Sequence, residues 1–176
     1  MTALVSISDI HNGPDMDHCL AGFLAAKYNL SHKRFSLPEL AGKPDLPAEE
    51  LHQTLFEGGA AIDAAERLIA QIDVPSLLVG YSAGGTVGAM ANSVVQIFEA
   101  QLFVSSTRLR HLTASHFKVP SLCLFGQHDD YQPKPDWHKE AQVERYEVAE
   151  YGHDFYKELP VESWAPLAEQ FFELQG

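Results

Sequence analysis

The chain has 176 residues, 45% of them hydrophobic, enough for one compact domain (residues 1–176) with a real core and too few for two. Its formal net charge of −12 argues against a nucleic-acid ligand, whose phosphates need basic surface, and against an anionic membrane surface. It opens without a basic leader and holds no apolar run near ~18 residues, so a cytoplasmic protein without a transmembrane helix is expected. The two cysteines, Cys19 and Cys123, lack C-x-x-C spacing and read as buried thiols.

In chain order, Leu4 to Ile10 is a short apolar strand, and Asp17 to Tyr28 an amphipathic helix with Leu20, Phe23 and Leu24 on one face. Lys33 to Leu37 is a weakly signalled strand, and Ala41 to Pro47 a loop. Glu49 to Ile72 has a long helical pattern that Gly58-Gly59 breaks or kinks. Pro75 to Gly80 is a strand, followed by a helix from Ala83 to about Val95. Strands follow at Gln101 to Ser105, Pro120 to Phe125 and Val143 to Val148, with helices at Lys134 to Gln142 and Val161 to Leu174. Alternation of this kind implies parallel pairing through right-handed crossovers, and the apolar strands imply helices on both faces. The expected architecture is a three-layer α/β sandwich with a mainly parallel sheet of about six strands, its working face at their carboxyl ends.

Gly80-Tyr81-Ser82-Ala83-Gly84 is the most informative run. It is a G-x-S-x-G pattern between a buried strand end and a helix of small residues. A serine on such a turn is strained, and the strain pushes its hydroxyl out of the sheet. The flanking glycines are expected because a Cβ there would strike the strand or the helix. The helix N-terminus at the same spot favours developing negative charge.

A serine nucleophile needs a base, and the base an orienting carboxylate. Downstream of Ser82, one strand runs into Gly126-Gln127-His128-Asp129-Asp130-Tyr131-Gln132-Pro133, and the last runs into Gly152-His153-Asp154-Phe155. Asp129 or Asp130 could be the acid, and His153 the base. The remaining histidines, His138 among them, read as residues of polar helix faces or loops. No His/Cys/carboxylate group has metal-ligand spacing, so no metal is expected.

With serine, acid and histidine in this order after successive strands, the chain resembles the α/β-hydrolase superfamily over nearly its whole length. The family's acid loop commonly reads Gly-x-x-Asp with a Pro four residues on. Gly126, Asp129 and Pro133 match it, which selects Asp129. The family's Gly-His before an aromatic or apolar residue matches Gly152-His153-Asp154-Phe155. The resemblance implies an oxyanion hole of two backbone N–H groups, one from Ala83 and one from the loop after the first strand. The family often has His-Gly-x in that loop; here Ile10-His11-Asn12-Gly13-Pro14 departs from it. By position Gly13 is the second donor, with Asn12 next. Tyr81 and Tyr131 could line the mouth, Tyr81 being as readily a core residue.

Two family parts are not expected here: the antiparallel hairpin before the first parallel strand, since that strand starts at Leu4, and a cap, since about 14 residues join the strand ending at Ser105 to that beginning at Pro120. The site should be open, with selectivity supplied by short loops or by a partner copy in a homo-oligomer. The resemblance implies a cofactor-free serine hydrolase, Ser82-Asp129-His153, acting on a small-molecule ester or thioester. A non-catalytic binding protein on the same scaffold is the alternative. A flavodoxin-like binder ranks below both, because the loop after the first strand has few hydroxyls to cradle phosphate.

Overall fold

A computed structural model describes residues 3–175, in which six strands form one parallel sheet of order β2-β1-β3-β4-β5-β6. The strands are β1 (Ala3–Ile7), β2 (Ser31–Phe35), β3 (Ser76–Tyr81), β4 (Phe98–Val104), β5 (Ser121–Gly126) and β6 (Glu144–Val148). The helices are α1 (Leu20–Tyr28), α2 (Leu37–Leu40), α3 (Ala48–Phe56), α4 (Ala60–Ile69), α5 (Ala83–Val94), α6 (Pro135–Ala141), α7 (Phe155–Glu158), α8 (Val161–Trp164) and α9 (Pro166–Glu173). Among the described residues no helix is long and apolar enough to cross a membrane.

The period-2 alternation of the strands feeds two cores. Val5, Ile7, Leu78, Phe103, Cys123 and Phe125 face α3, α4 and α5. Leu4, Leu77, Val79, Leu102, Val104, Leu122 and Leu124 face α1 and the α7–α9 segment. Covering both faces is what a parallel sheet requires. It also explains why β3 and β5 are buried throughout, whereas the edge strands β2 and β6 bury only Phe35 and Val148. Both cysteines are free and buried, Cys19 in one core and Cys123 in the other.

Several boundaries differ from the sequence reading, each for a local reason. The pattern from Glu49 to Ile72 is two helices, because Gly59 adopts a left-handed φ of 80°. The last helix divides before Pro166, which has no N–H to continue the ladder and instead occupies the first turn of α9. The first expected helix is a 3-10 turn (Met16–His18) followed by α1. Helix α2 was not anticipated, although Ser36 caps it by accepting from the Glu39 N–H at 3.4 Å. Nor was α7. The chain between β4 and β5 holds two 3-10 turns, Thr107–His111 and Ala114–His116, and no cap.

From β1 the chain steps outward to β2, then crosses back so that β3 flanks β1 on its other side. Such a reversal leaves a crevice at the carboxyl ends of the two strands, here β1 and β3. Ser82 directly follows β3.

Candidate active site

Ser82 sits at φ 49° and ψ −122°, between β3 and α5. A non-glycine residue held in so sparsely populated a region costs about 1–3 kcal/mol and persists only when its surroundings dictate it. Here they do. The Ser82 N–H donates to the Val104 carbonyl at 2.7 Å, and the Ser82 carbonyl accepts from the Gly85 N–H at 3.1 Å. A Cβ on Gly80 would lie 2.3 Å from the Gly85 Cα, and one on Gly84 would lie 2.1 Å from the Ser8 carbonyl oxygen. The glycines of the motif therefore have a steric cause: they let α5 pass close to β3 and to the chain leaving β1.

The Ser82 Oγ is 3.3 Å from His153 Nε2, and His153 Nδ1 is 2.7 Å from Asp129 Oδ2. A carboxylate only accepts, so Nδ1 carries the proton and Nε2 is left to accept from the hydroxyl. The Asp129 side chain is 2% exposed and that of His153 38%. Asp130 and His128 are both exposed. Asp129 also accepts from the Tyr131 N–H at 3.2 Å. The His153 segment is fixed from two sides: Ser105 Oγ donates to the His153 carbonyl at 2.6 Å, and the His128 N–H donates to the Tyr151 carbonyl at 2.9 Å. Gly126, at the end of β5, makes room for it; a Cβ there would be 2.1 Å from the Gly152 carbonyl oxygen.

The loop after β1 corrects one expectation. The Gly13 N–H donates to Asp9 Oδ1 at 2.8 Å, and that of Asn12 to the Asp9 carbonyl at 3.1 Å. Neither is free for an oxyanion. Ser8 donates to the Phe35 carbonyl, Asp9 to the Gly13 carbonyl, and His11 to Asp9 Oδ1. Among the N–H groups of residues 8–13, only that of Ile10 makes no hydrogen bond within the described residues. Ile10 follows by two residues the point where the elbow touches this loop, at Ser8. The family's His-Gly-x pattern points to Gly13, but β1 ends at Ile7, and the residues nearest the serine turn come earlier in the loop. The Ala83 N–H stands at the first position of α5, where a helix offers no internal acceptor.

Asp9 is the residue that sequence reasoning missed. It is 1% exposed, yet its carboxylate also accepts from the Tyr156 hydroxyl at 2.6 Å and pairs with Lys157 Nζ at 3.1 Å. Burial pushes its carboxyl up, but Tyr156, the Gly13 N–H and Lys157 together outweigh burial and hold it below the ordinary range. Its signal was faint: one acidic residue at the end of an otherwise buried strand.

Tyr81 is a core residue and does not line the mouth. It is 1% exposed, accepts from the Leu20 N–H at 2.8 Å and stacks on Tyr156 at 5.5 Å. Burial pushes its hydroxyl well up. Tyr131 is 70% exposed on the acid loop, and Asn12 is exposed at φ 61°. His138 is likewise corrected: it is buried on α6, its ring 5.0 Å from that of Trp137. Of five clefts of about 190–510 Å³ among the described residues, none is lined by Ser82.

This is the α/β-hydrolase fold. MGS-MChE2, an alpha/beta hydrolase enzyme from the metagenome of sediments from the lagoon of Mar Chica, Morocco, superposes with a TM-score of 0.64 at 18% identity, over 100% of this chain and 93% of its own. A predicted CIB-like hydrolase from Thermoplasma acidophilum gives 0.68 at 16% identity, over 97% and 86%. The CarC enzyme, a serine hydrolase involved in carbazole degradation, gives 0.62 at 15% identity, over 99% and 92%. No family model and no curated protein matches the chain in sequence.

Proposed function

We propose that this protein is a serine hydrolase of small carboxylic esters or thioesters. The observation that carries the reading is the relay from Ser82 through His153 to the buried Asp129, at 3.3 and 2.7 Å, on a strained strand-to-helix turn. The longer distance is of the kind that tightens when substrate binds.

In this reading Ser82 Oγ attacks the acyl carbonyl while His153 Nε2 takes its proton. The tetrahedral oxyanion is held by the N–H groups of Ala83 and Ile10. His153 then gives its proton to the departing alcohol or thiol, leaving Ser82 acylated. Water attacks this ester, His153 again takes the proton, and the acid leaves as Ser82 is reprotonated. Asp129 fixes the imidazole tautomer and stabilises the imidazolium. Each oxyanion donor in such sites contributes on the order of 10²–10³ in rate.

The test is labelling with a fluorophosphonate probe, followed by turnover of p-nitrophenyl esters and acyl thioesters. Wild-type protein should label and turn over, and Ser82→Ala should do neither while keeping its circular dichroism. Undiminished labelling of Ser82→Ala would remove Ser82 from the mechanism. A wild-type protein that neither labels nor hydrolyses would favour the binding-protein alternative.

A further inference from the structure

The segment leaving β4 is tied to the candidate site at its first residue and carries two arginines, Arg108 and Arg110. Ser105 holds the His153 carbonyl, and the Thr107 N–H donates back to the Ser105 carbonyl at 2.9 Å. Arg110 Nη1 donates to the Thr107 carbonyl at 2.9 Å and reaches the Tyr131 carbonyl at 3.4 Å, two residues beyond Asp129. The Arg110 guanidinium therefore bridges the segment that supports the base and the loop that carries the acid. The Arg108 guanidinium lies 4.2 Å over the Phe56 ring, and that of Arg110 lies 5.8 Å from the Tyr131 ring. Aromatic stacking of this kind holds a guanidinium in place without using its hydrogen-bond donors.

Neither arginine has a carboxylate within ion-pairing distance among the described residues, and Arg108 makes no hydrogen bond there. Both are half-buried. They repel each other: burial, then Arg110, lowers the pKa of Arg108, with Glu57 opposing. His52 and His111 are lowered by burial first, and then by the same two arginines. The other charged groups near them are Glu57, beside Arg108, and Asp130, Lys134, Asp136 and Glu140, which line a cleft of about 500 Å³ together with Arg110 and His111 but not Arg108. In a chain of net charge −12, two guanidiniums held over aromatic rings without an ion-pairing partner among the described residues, on the 3-10 turn that follows the strand next to Ser82, keep donors for an anion.

We propose that Arg108 and Arg110 recognise a carboxylate carried by the ester substrate, so that the preferred substrates are anionic. The inference rests on the serine-hydrolase reading. The two arginines are specificity residues that hold the substrate's remote end; they take no part in proton transfer.

The experiment compares three esters: p-nitrophenyl valerate, mono-p-nitrophenyl glutarate, and a nitrophenyl valerate whose ring carries a carboxylate. One of the two anionic esters should exceed the neutral one in kcat/KM by about tenfold or more, and which one shows whether the charge belongs on the acyl or the leaving-group side. The gain should appear in KM and should shrink as salt rises from about 0.05 to about 0.5 M, a readout that needs no variant. Arg108→Gln should abolish the preference and leave turnover of the neutral ester unchanged. Arg110→Gln should do the same, with some added loss from its contact with the acid loop. In parallel, Ser82→Ala is titrated with monomethyl glutarate and with methyl valerate by NMR. Only the anion should shift resonances of residues 107–111, and Arg108→Gln should remove that response. Hydrolysis of the neutral ester without preference for either anion would overturn the proposal and leave the hydrolase reading standing. If no ester is turned over the hydrolase reading fails, and the titration alone decides the arginines: equal binding of anion and neutral ester, or anion binding indifferent to Arg108→Gln, overturns their role.

Discussion

The Tyr156 hydroxyl donates a 2.6 Å hydrogen bond to the buried carboxylate of Asp9, across 147 residues of sequence. Asp9 belongs to the loop that offers the Ile10 N–H, and Tyr156 to the helix that follows His153. The pair thus ties the loop proposed to hold the oxyanion to the segment that carries His153. Lys157 joins it, bonded to Asp9 at 3.1 Å and to Asp154 at 3.2 Å.

This tie should make stability acid-sensitive. Although burial works against it, the Asp9 carboxyl is held below its ordinary value by Tyr156, the Gly13 N–H and Lys157. A carboxyl whose folded pKa lies below its unfolded one contributes stability at pH values above the unfolded pKa, about 3.9. That contribution is lost as pH falls through the lower folded value. Asp9→Asn keeps the shape and removes the charge, and should cost about 3 kcal/mol at neutral pH. The gap in Tm between wild type and Asp9→Asn should narrow below about pH 4. Thermal melts across the acid range check this; a gap constant with pH would show that the Asp9 charge is not what the tie depends on. Tyr156→Phe, which removes one hydroxyl, should give a smaller loss in the same direction.

The adjacent aspartates should separate cleanly. Asp129 is buried against His153 and Asp130 is exposed. Asp129→Asn should lower kcat on the order of 10⁴-fold, because the imidazole loses its tautomeric anchor. Asp130→Asn should leave ester turnover within about twofold of wild type, since surface substitutions away from such contacts change little. Steady-state kinetics on a neutral ester decide it, and equal losses would mean that the carboxylates share the role.

The glycines of the two motif loops should behave differently from each other. A Cβ on Gly126 would meet the backbone of residues 151 and 152, whereas one on Gly152 would meet nothing within 4 Å. Gly126→Ala should therefore displace the His153 segment, costing about 1–3 kcal/mol in stability as well as turnover. Gly152→Ala should be tolerated in both. Thermal melts and fluorophosphonate labelling rates test the pair; a severe Gly152→Ala would mean that the loop needs conformational freedom the steric contacts do not reveal.

How far the sequence could be read follows from the range of the interactions involved. Ser82, Asp129 and His153 were legible because each follows a strand at a fixed local spacing, and the alternation of strands and helices gave the parallel sheet. The gap between α3 and α4 was legible at Gly58-Gly59. What the sequence left open or missed depends mostly on contacts distant in sequence. Tyr81 stands next to Ser82 in the chain, but the strand pleat turns it into the core against Leu20 and Tyr156. The role of Asp9 lies in partners at 156 and 157, which no local pattern announces. Gly13 is a local failure: the family's His-Gly-x spacing points to it, while its N–H is already held by Asp9 four residues before it.

The open site makes the last prediction. Among the described residues, two 3-10 turns and no helical cap join β4 to β5. An enclosed acyl pocket would add about 0.8 kcal/mol for each CH₂ it buried, close to fourfold in kcat/KM per carbon. A chain lying along an open groove keeps much of its surface in water and gains only part of that. For neutral p-nitrophenyl esters, kcat/KM should therefore be flat or highest for short acyl chains, and should not climb beyond about six carbons. No jump in rate is expected at the micelle threshold either, because the β4–β5 connection holds no cap that could open. The check is a chain-length series measured below and above that threshold. A steady rise to long chains would require a wall that this chain does not supply by itself, such as one formed by a second copy or by residues 41–47 folding over the acyl group.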